Sequence, residues 1–221
     1  MNSHSFTKTY GTQIALTMPE MEWVPGCIYA VIGANGSGKS TLAKVLSGTE
    51  PPDGNLKPFS HGSVGYLPQK PYAFRMRLQK NLYLNGSDHA RAEQLMNQLG
   101  LSSLRRKPAH RLSGGETAKL ALARLLMRDY DLLILDEPTA AMDMESTLAA
   151  EKLIQAYRDK IGCAVILITH SLRQAQRIAN KIIYLEQGKL MESGDTESLL
   201  QSPKAPETKR FLLFFGFENL S

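Results

Sequence analysis

Short apolar runs alternate along the chain with stretches whose apolar residues recur at the 3.6-residue period, and this alternation predicts strand–helix repeats. Residues 14–18 read as a strand after the turn Tyr10-Gly11-Thr12. Residues 27–32 form a second apolar, β-rich run, followed by a helical pattern over 40–46. The stretch Thr49-Glu50-Pro51-Pro52-Asp53-Gly54 breaks the chain. A short strand over 63–67 then ends at Pro68-Gln69, and the pattern is helical from Pro71 to about Arg111. Within it Asp88 caps a helix over 89–99, with Gly100 in the position just past its end.

The alternation resumes with a helix over 117–127 and the apolar run Leu132-Leu133-Ile134-Leu135. A helix over 144–160, a strand over 164–168, a helix over 171–180 and a strand over 182–185 follow. Gln187-Gly188 turns the chain into residues 189–192. The runs at 132–135 and 164–168 are apolar without alternation, as parallel strands covered on both faces are. The expected fold class is therefore α/β with a parallel sheet core. One domain spans 1–221, with a helical subdomain over 71–128 and a C-terminal tail over 203–221.

Between the strand at 27–32 and its helix stands Gly33-Ala34-Asn35-Gly36-Ser37-Gly38-Lys39-Ser40, a match to G-x-x-x-x-G-K-[ST]. Small residues let backbone N–H groups converge on phosphate, and the helix adds the positive end of its dipole. Lys39 is expected on the β- and γ-phosphates and Ser40 on Mg²⁺, with Thr41 beside them. The apolar run 132–135 delivers Asp136 and Glu137 to the same sheet edge. Asp136 is the expected Mg²⁺ carboxylate and Glu137 the group that accepts a hydrogen bond from attacking water.

With these motifs stands Leu112-Ser113-Gly114-Gly115-Glu116, and at this point the chain resembles the ATPase subunit of an ABC transporter, over about 10–200. The match departs from LSGGQ at Glu116, which adds a charge near the γ-phosphate region. The resemblance implies a phosphate-loop hydrolase core, an antiparallel N-terminal β subdomain and an inserted helical subdomain. It implies ATP and Mg²⁺ as ligands. Gln69 is the implied contact to Mg²⁺ or water, His170 the contact to the γ-phosphate, Asp143 an interface-crossing aspartate and Tyr10 the ring that stacks on adenine. Leu112 to Glu116 is the implied second phosphate clamp, acting in trans. The implied partners are a second copy of the chain or a homologous ATPase subunit, integral membrane permease subunits and a substrate-binding protein.

Composition narrows this. Hydrophobic residues make up 43% and the net charge is +5, a globular composition with too mild a bias to argue for nucleic acid. Cys27 and Cys163 read as two buried free thiols in a reducing compartment. The N-terminus lacks the apolar core of a signal peptide, and no run approaches the roughly 20 residues that span a bilayer. The expected location is cytoplasmic, peripheral on the inner membrane face. Arg105-Arg106-Lys107 reads as a solvated face. Tyr72, Phe74 and Met76 either line a groove for a membrane partner or pack within the subdomain. The run 211–215 is expected to pack on the body. The leading function is an ATP-hydrolysing motor for transport; a soluble ATPase of the same family acting on DNA or ribosomes is the alternative. The segment 206–212 resembles the ends of tungstate-type oxyanion importer ATPases.

Overall fold

Strands β5 (Ile28–Ile32), β7 (Leu132–Asp136) and β8 (Ala164–Ile168) are buried at every position. They belong to a computed structural model that describes residues 1–217 except Leu56 and Ser60; residues 218–221 of the expected tail also lie outside the description. The apolar runs divide by alternation. Leu132 and Ile134 of β7 and Ile166 and Ile168 of β8 pack with Leu42, Val45 and Leu46 of α1 (Lys39–Leu46). Leu133, Leu135, Val165 and Leu167 point the other way, into a cluster with Leu95, Met96, Leu120 and Leu122. Each such side chain contributes about 1.5–3 kcal/mol by burial.

The remaining strands are β1 (Asn2–Ser3), β2 (Phe6–Tyr10), β3 (Gln13–Met18), β4 (Met21–Glu22), β6 (Val64–Leu67), β9 (Lys181–Glu186) and β10 (Lys189–Asp195). The main sheet has eight strands in the order β2-β3-β10-β9-β5-β8-β7-β6. From β9 to β6 all neighbours are parallel. At the other end β10 runs antiparallel to β9 and β2 antiparallel to β3. β10 meets β3 in parallel at Lys189 and Thr17, so the antiparallel strands extend the main sheet and make it mixed. The order has a consequence for function. Parallel neighbours β5, β8, β7 and β6 bring Gly33, His170, Glu137 and Gln69, each just past a strand's end, to one carboxyl edge.

The segment after β6 departs from the expected pattern. Helix does not begin at Pro71 but at α2 (Leu78–Leu82), followed by α3 (His89–Gln98) and 3₁₀ turns at Ser102–Leu104 and Ala109–Arg111. The cause is Asn81, whose buried amide accepts from Phe74 N at 2.9 Å and donates to Phe74 O at 3.2 Å and Arg77 O at 3.3 Å. Those bonds satisfy the backbone in a non-helical form. Asp88 does cap α3, accepting from Arg91 N at 2.9 Å, and Gly100 past its end has φ 66°. The helix expected over 117–127 starts earlier, as α4 (Gly114–Leu125). Helices α5 (Met144–Ile161), α6 (Leu172–Ile178), α7 (Thr196–Gln201) and α8 (Pro206–Phe214) complete the described elements.

The basic run is also not simply solvated. Arg105 pairs with Glu93, and Lys107 pairs with Glu116 at 2.9 Å. In the run 211–215, Leu212 is fully buried whereas Phe214 is 85% exposed, so only part of it packs on the body. Cys27 and Cys163 are buried free thiols.

Candidate functional site

The phosphate-binding loop begins where β5 ends. At Gly33, φ is 151° and a Cβ would lie 2.2 Å from the Leu185 carbonyl oxygen, so no side chain fits. Gly38 precedes α1 with φ 103° and offers no side-chain cap. The first-turn N–H groups of α1 therefore have neither intrahelical partners nor a capping side chain, which suits an anion. Ser37 Oγ is buried without a partner. Lys39 is 8% exposed, and its Nζ donates to the Gly33 and Ala34 carbonyls, each at 2.8 Å. Burial lowers the Lys39 pKa, against the pull of Glu137 and Asp136. The ammonium is thus held by the loop it would release when phosphate arrives.

Asp136 ends β7 and is 2% exposed. Burial raises its pKa; the Ser40 hydroxyl bonded to it acts the other way. A buried carboxylate without full compensation is a fit for a cation. Among the described residues no group of three or more His, Cys, Asp or Glu could hold a metal, so ions bound here would take most of their other ligands from phosphate and water. Glu137 follows with φ 50°, a left-handed conformation uncommon outside glycine. Its N–H donates to Ile168 O at 3.0 Å, and its Oε2 lies 3.1 Å from Nδ1 of His170.

A cavity of about 640 Å³ is lined by Tyr10, Gly36, Lys39, Ser40, Thr41, Gln69 and Glu137, among others. Its size is that of a small-molecule site. Tyr10 is 46% exposed there, its hydroxyl bonded to Glu50, which in turn pairs with Lys44 at 2.8 Å. An adjoining cavity of about 710 Å³ is lined by Gly33, Ala34, Asn35, Gln69, Glu137 and His170 on one side. Its other side is Tyr184, Glu186, Arg210, Phe211, Phe214 and Phe215. The presence of α8 at this mouth was not foreseen. Its signal was the aromatic run 211–215, of which Phe211 packs on Tyr184 at 4.8 Å between ring centres.

Leu112, Ser113, Gly114, Gly115 and Glu116 line neither of these cavities. Ser113 caps α4 by accepting from Glu116 N at 3.2 Å, while Glu116 Oε2 accepts from Ser113 N at 2.7 Å. That reciprocal pair, with Lys107 at 2.9 Å, turns the Glu116 carboxylate back on its own helix. The Ser113 backbone bond is the main reason its pKa lies below the ordinary range, with Lys107 next. The charge expected near phosphate is thus already engaged. Gly115 faces the loop before α5: a Cβ there would lie 2.8 Å from Ala141 O. Asp143 caps α5 through Ser146 N at 2.7 Å.

Comparison with known proteins gives the family of the chain. The family model described as "ABC transporter" matches residues 16–140. The chain is similar to the tungstate uptake system ATP-binding protein TupC of Peptoclostridium acidaminophilum, at 35% identity over 84% of this chain and 94% of that protein. It is similar to the zinc import ATP-binding protein ZnuC of Alcanivorax borkumensis, at 34% identity over 90% of this chain and 79% of that one. Among solved structures, a dimeric post-hydrolysis ATP-binding cassette bound to ADP and phosphate superposes with a TM-score of 0.76. The identity is 22%, over 89% of this chain and 99% of that one.

Proposed function

The chain belongs to the ABC transporter family as an ATP-binding and ATP-hydrolysing subunit, and from that premise we propose that it powers a bacterial importer as a head-to-tail pair of ATPase subunits. The observation that carries this is the separation of two phosphate-binding elements. Lys39 and Glu137 share one cavity, which Leu112 to Glu116 do not line. In the proposed arrangement both flank one γ-phosphate, and the second comes from another copy or a homologous subunit. That one structural relative is a dimer supports pairing of two such chains.

In the proposed reaction, backbone N–H groups over Gly33 to Thr41 hold the triphosphate, and Lys39 moves from the Gly33 and Ala34 carbonyls onto its β- and γ-oxygens. Tyr10 stacks on the adenine. Ser40, Asp136 and Gln69 are the residues that would hold Mg²⁺, which when bound neutralises charge on the phosphate oxygens. Glu137 accepts a hydrogen bond from water and orients it in line with the γ-phosphorus. The water oxygen bonds to phosphorus as the bond to the β–γ bridging oxygen breaks, and the proton passes towards Glu137. His170, beside Glu137, contacts the γ-phosphate. The signature of the other subunit closes the far side with N–H groups and the α4 dipole. Asp143 lies on the loop that crosses to that subunit.

No helix among the described residues is long and apolar enough to cross a membrane. The proposed contact to permease subunits is a groove of about 380 Å³ lined by Tyr66, Pro68, Pro71, Tyr72, Phe74 and Arg124, among others. Tyr72 is 57% exposed and Phe74 39%, with Arg124 5.4 and 5.1 Å from their ring centres. Two unburied rings steadied by a cation suit a partner helix better than an internal packing role. The groove adjoins Gln69, which links docking to hydrolysis. The subunit would then sit on the inner membrane face, and a substrate-binding protein would deliver cargo outside. The proposed cargo is an inorganic oxyanion such as tungstate, supported by the 35% identity to the tungstate-system protein and by segment 206–212. Co-expression with candidate permease subunits, followed by tungstate uptake in vesicles, tests this. ATP-dependent uptake is the expected result, and a chain that hydrolyses ATP but forms no complex with any membrane subunit would return the soluble alternative.

A further inference from the structure

Helix α5 carries one carboxylate inside the protein: Glu151, 3% exposed. A buried charge must be paired, and α6 supplies both partners. Arg177 donates through Nε at 2.9 Å and Nη2 at 2.6 Å, and Gln174 Nε2 donates at 3.0 Å. The hydrogen bond to Glu151 is the main cause that raises the Arg177 pKa above the ordinary guanidinium range. The Gln174 amide, itself 3% exposed, makes one more bond, to Thr139 Oγ1 at 3.0 Å. Thr139 stands two residues after Glu137. The hydrogen bonds therefore run unbroken from Arg177 through Glu151 and Gln174 to the loop that carries Glu137.

That loop needs holding. Glu137 is left-handed, and such a residue persists where its surroundings over-determine it. A cavity of about 230 Å³, lined by Glu137, Thr139, Thr169, His170, Gln174 and Arg177 among others, lies beside the loop, so packing alone does not fix it there. The bond from Gln174 spans that space. The same residue is tied to the histidine side: Ser171 Oγ accepts from Gln174 N at 3.2 Å, and Thr169 Oγ1 accepts from Ser171 N at 3.0 Å. Gln174 thus joins the loops of Glu137 and of His170.

We propose that Gln174, set by the Glu151–Arg177 pair, is a positioning residue that aims Glu137 by clamping Thr139. The proposal rests on the reading of Glu137 as the residue that orients water. Steady-state ATPase kinetics, ATP binding and melting of the purified full chain test it in four variants: Gln174→Ala, Thr139→Val, Thr139→Ser and the double Gln174→Ala/Thr139→Val. A misaimed group lowers turnover without loosening substrate, so Gln174→Ala and Thr139→Val each lose about tenfold in kcat with KM and ATP affinity unchanged. Thr139→Ser, which keeps the hydroxyl, retains the parent rate. The double variant is no slower than either single, because both remove the same bond. Losses that multiply in the double, a parent-like kcat in Thr139→Val, or a loss tracked by KM would overturn the proposal. Thr139→Val leaves the buried Glu151 cluster paired, so it carries the test should Gln174→Ala not fold. Glu137→Gln separates the two claims. Near-normal turnover there removes the premise, whereas an inactive Glu137→Gln beside a fully active Thr139→Val removes the clamp alone.

Discussion

The Glu137 carboxylate lies 3.1 Å from His170 Nδ1, yet the two differ in shelter: the Glu137 side chain is 14% exposed and that of His170 65%. Glu137 is fixed by its backbone and sits back in the site, and His170 stands over it at the mouth. On the proposed roles this puts the group that orients water inside and the γ-phosphate contact outside. Glu137→Gln should still bind ATP and lose about 10²–10⁴-fold in turnover, the usual worth of a general base. Isothermal titration and a phosphate-release assay check both halves, and near-normal turnover would reject the role.

Lys39 gives a prediction with two signs. Its burial disfavours the ammonium, whose Nζ donates to the Gly33 and Ala34 carbonyls. On the proposed role its main contact is with the triphosphate. Lys39→Ala should weaken ATP binding by at least about tenfold, the loss of one or two charge-assisted hydrogen bonds. The melting temperature without nucleotide should not fall, since functional sites store such unfavourable groups. Unchanged ATP affinity in calorimetry would refute the phosphate contact.

These two residues were legible in the sequence because their positions follow from local pattern. An apolar run of strand length ends where its carboxylates must emerge, and the glycines of the loop admit few conformations. The mixed sheet was harder to see. The contact between β10 and β3 joins Lys189 to Thr17 across the chain, and no periodicity within either strand reports it. The late start of α2 was hidden for another reason: Asn81 substitutes its side chain for helical backbone bonds four to seven residues upstream. The buried Glu151 lies on a helix whose other acidic residues, Glu145 and Asp159, are exposed, so its composition gave no sign of a polar core.

Glu116 tests how the signature is built. Its carboxylate serves two neighbours, Ser113 N and Lys107, and an amide can serve the first. Glu116→Gln should keep the cap and melt close to the parent. Glu116→Ala should keep the Ser113 hydroxyl cap but lose the reciprocal bond to Ser113 N and the Lys107 pair, costing about 0.5–1 kcal/mol and about 2 °C in melting temperature. The sign with pH follows from the depressed carboxyl. Stability from an ionised, bonded carboxylate is present above the unfolded-state pKa of about 4.3 and fades as pH falls through the lower folded value. The parent's advantage over Glu116→Ala should therefore shrink on acidification. An advantage that grows below pH 4 would contradict the pairing seen here.

Docking through the aromatic groove predicts where crosslinks form. Cysteines introduced at Tyr72 and Phe74 should link to the membrane subunit in the assembled complex, and Phe74→Ala should lower transport more than basal ATP hydrolysis. Rings at the centre of an interface commonly cost more than 1 kcal/mol when truncated, and these two are unburied in the free chain. Crosslinks confined to α8 would place the partner on the C-terminal helix instead of the groove.

The pairing of two chains makes the most demanding prediction. If Lys39 of one chain and Ser113 of the other flank the same γ-phosphate, a dimer contains two equal sites, each built from both chains. Lys39→Ala and Ser113→Arg homodimers then carry one defect in every site, and neither should occlude ATP. A mixed dimer carries both defects in one site and none in the other. With Glu137→Gln added to both chains to stop turnover, that intact site should occlude one ATP per heterodimer. Filtration binding with labelled ATP on tagged, purified heterodimers gives the count. The Arg side chain suits the purpose because it removes the hydroxyl that caps α4 and sets a long side chain at the exposed start of that helix. A Ser113→Arg homodimer that occludes ATP as fully as the parent would show that α4 begins with an ordinary capped turn and that the second clamp lies elsewhere.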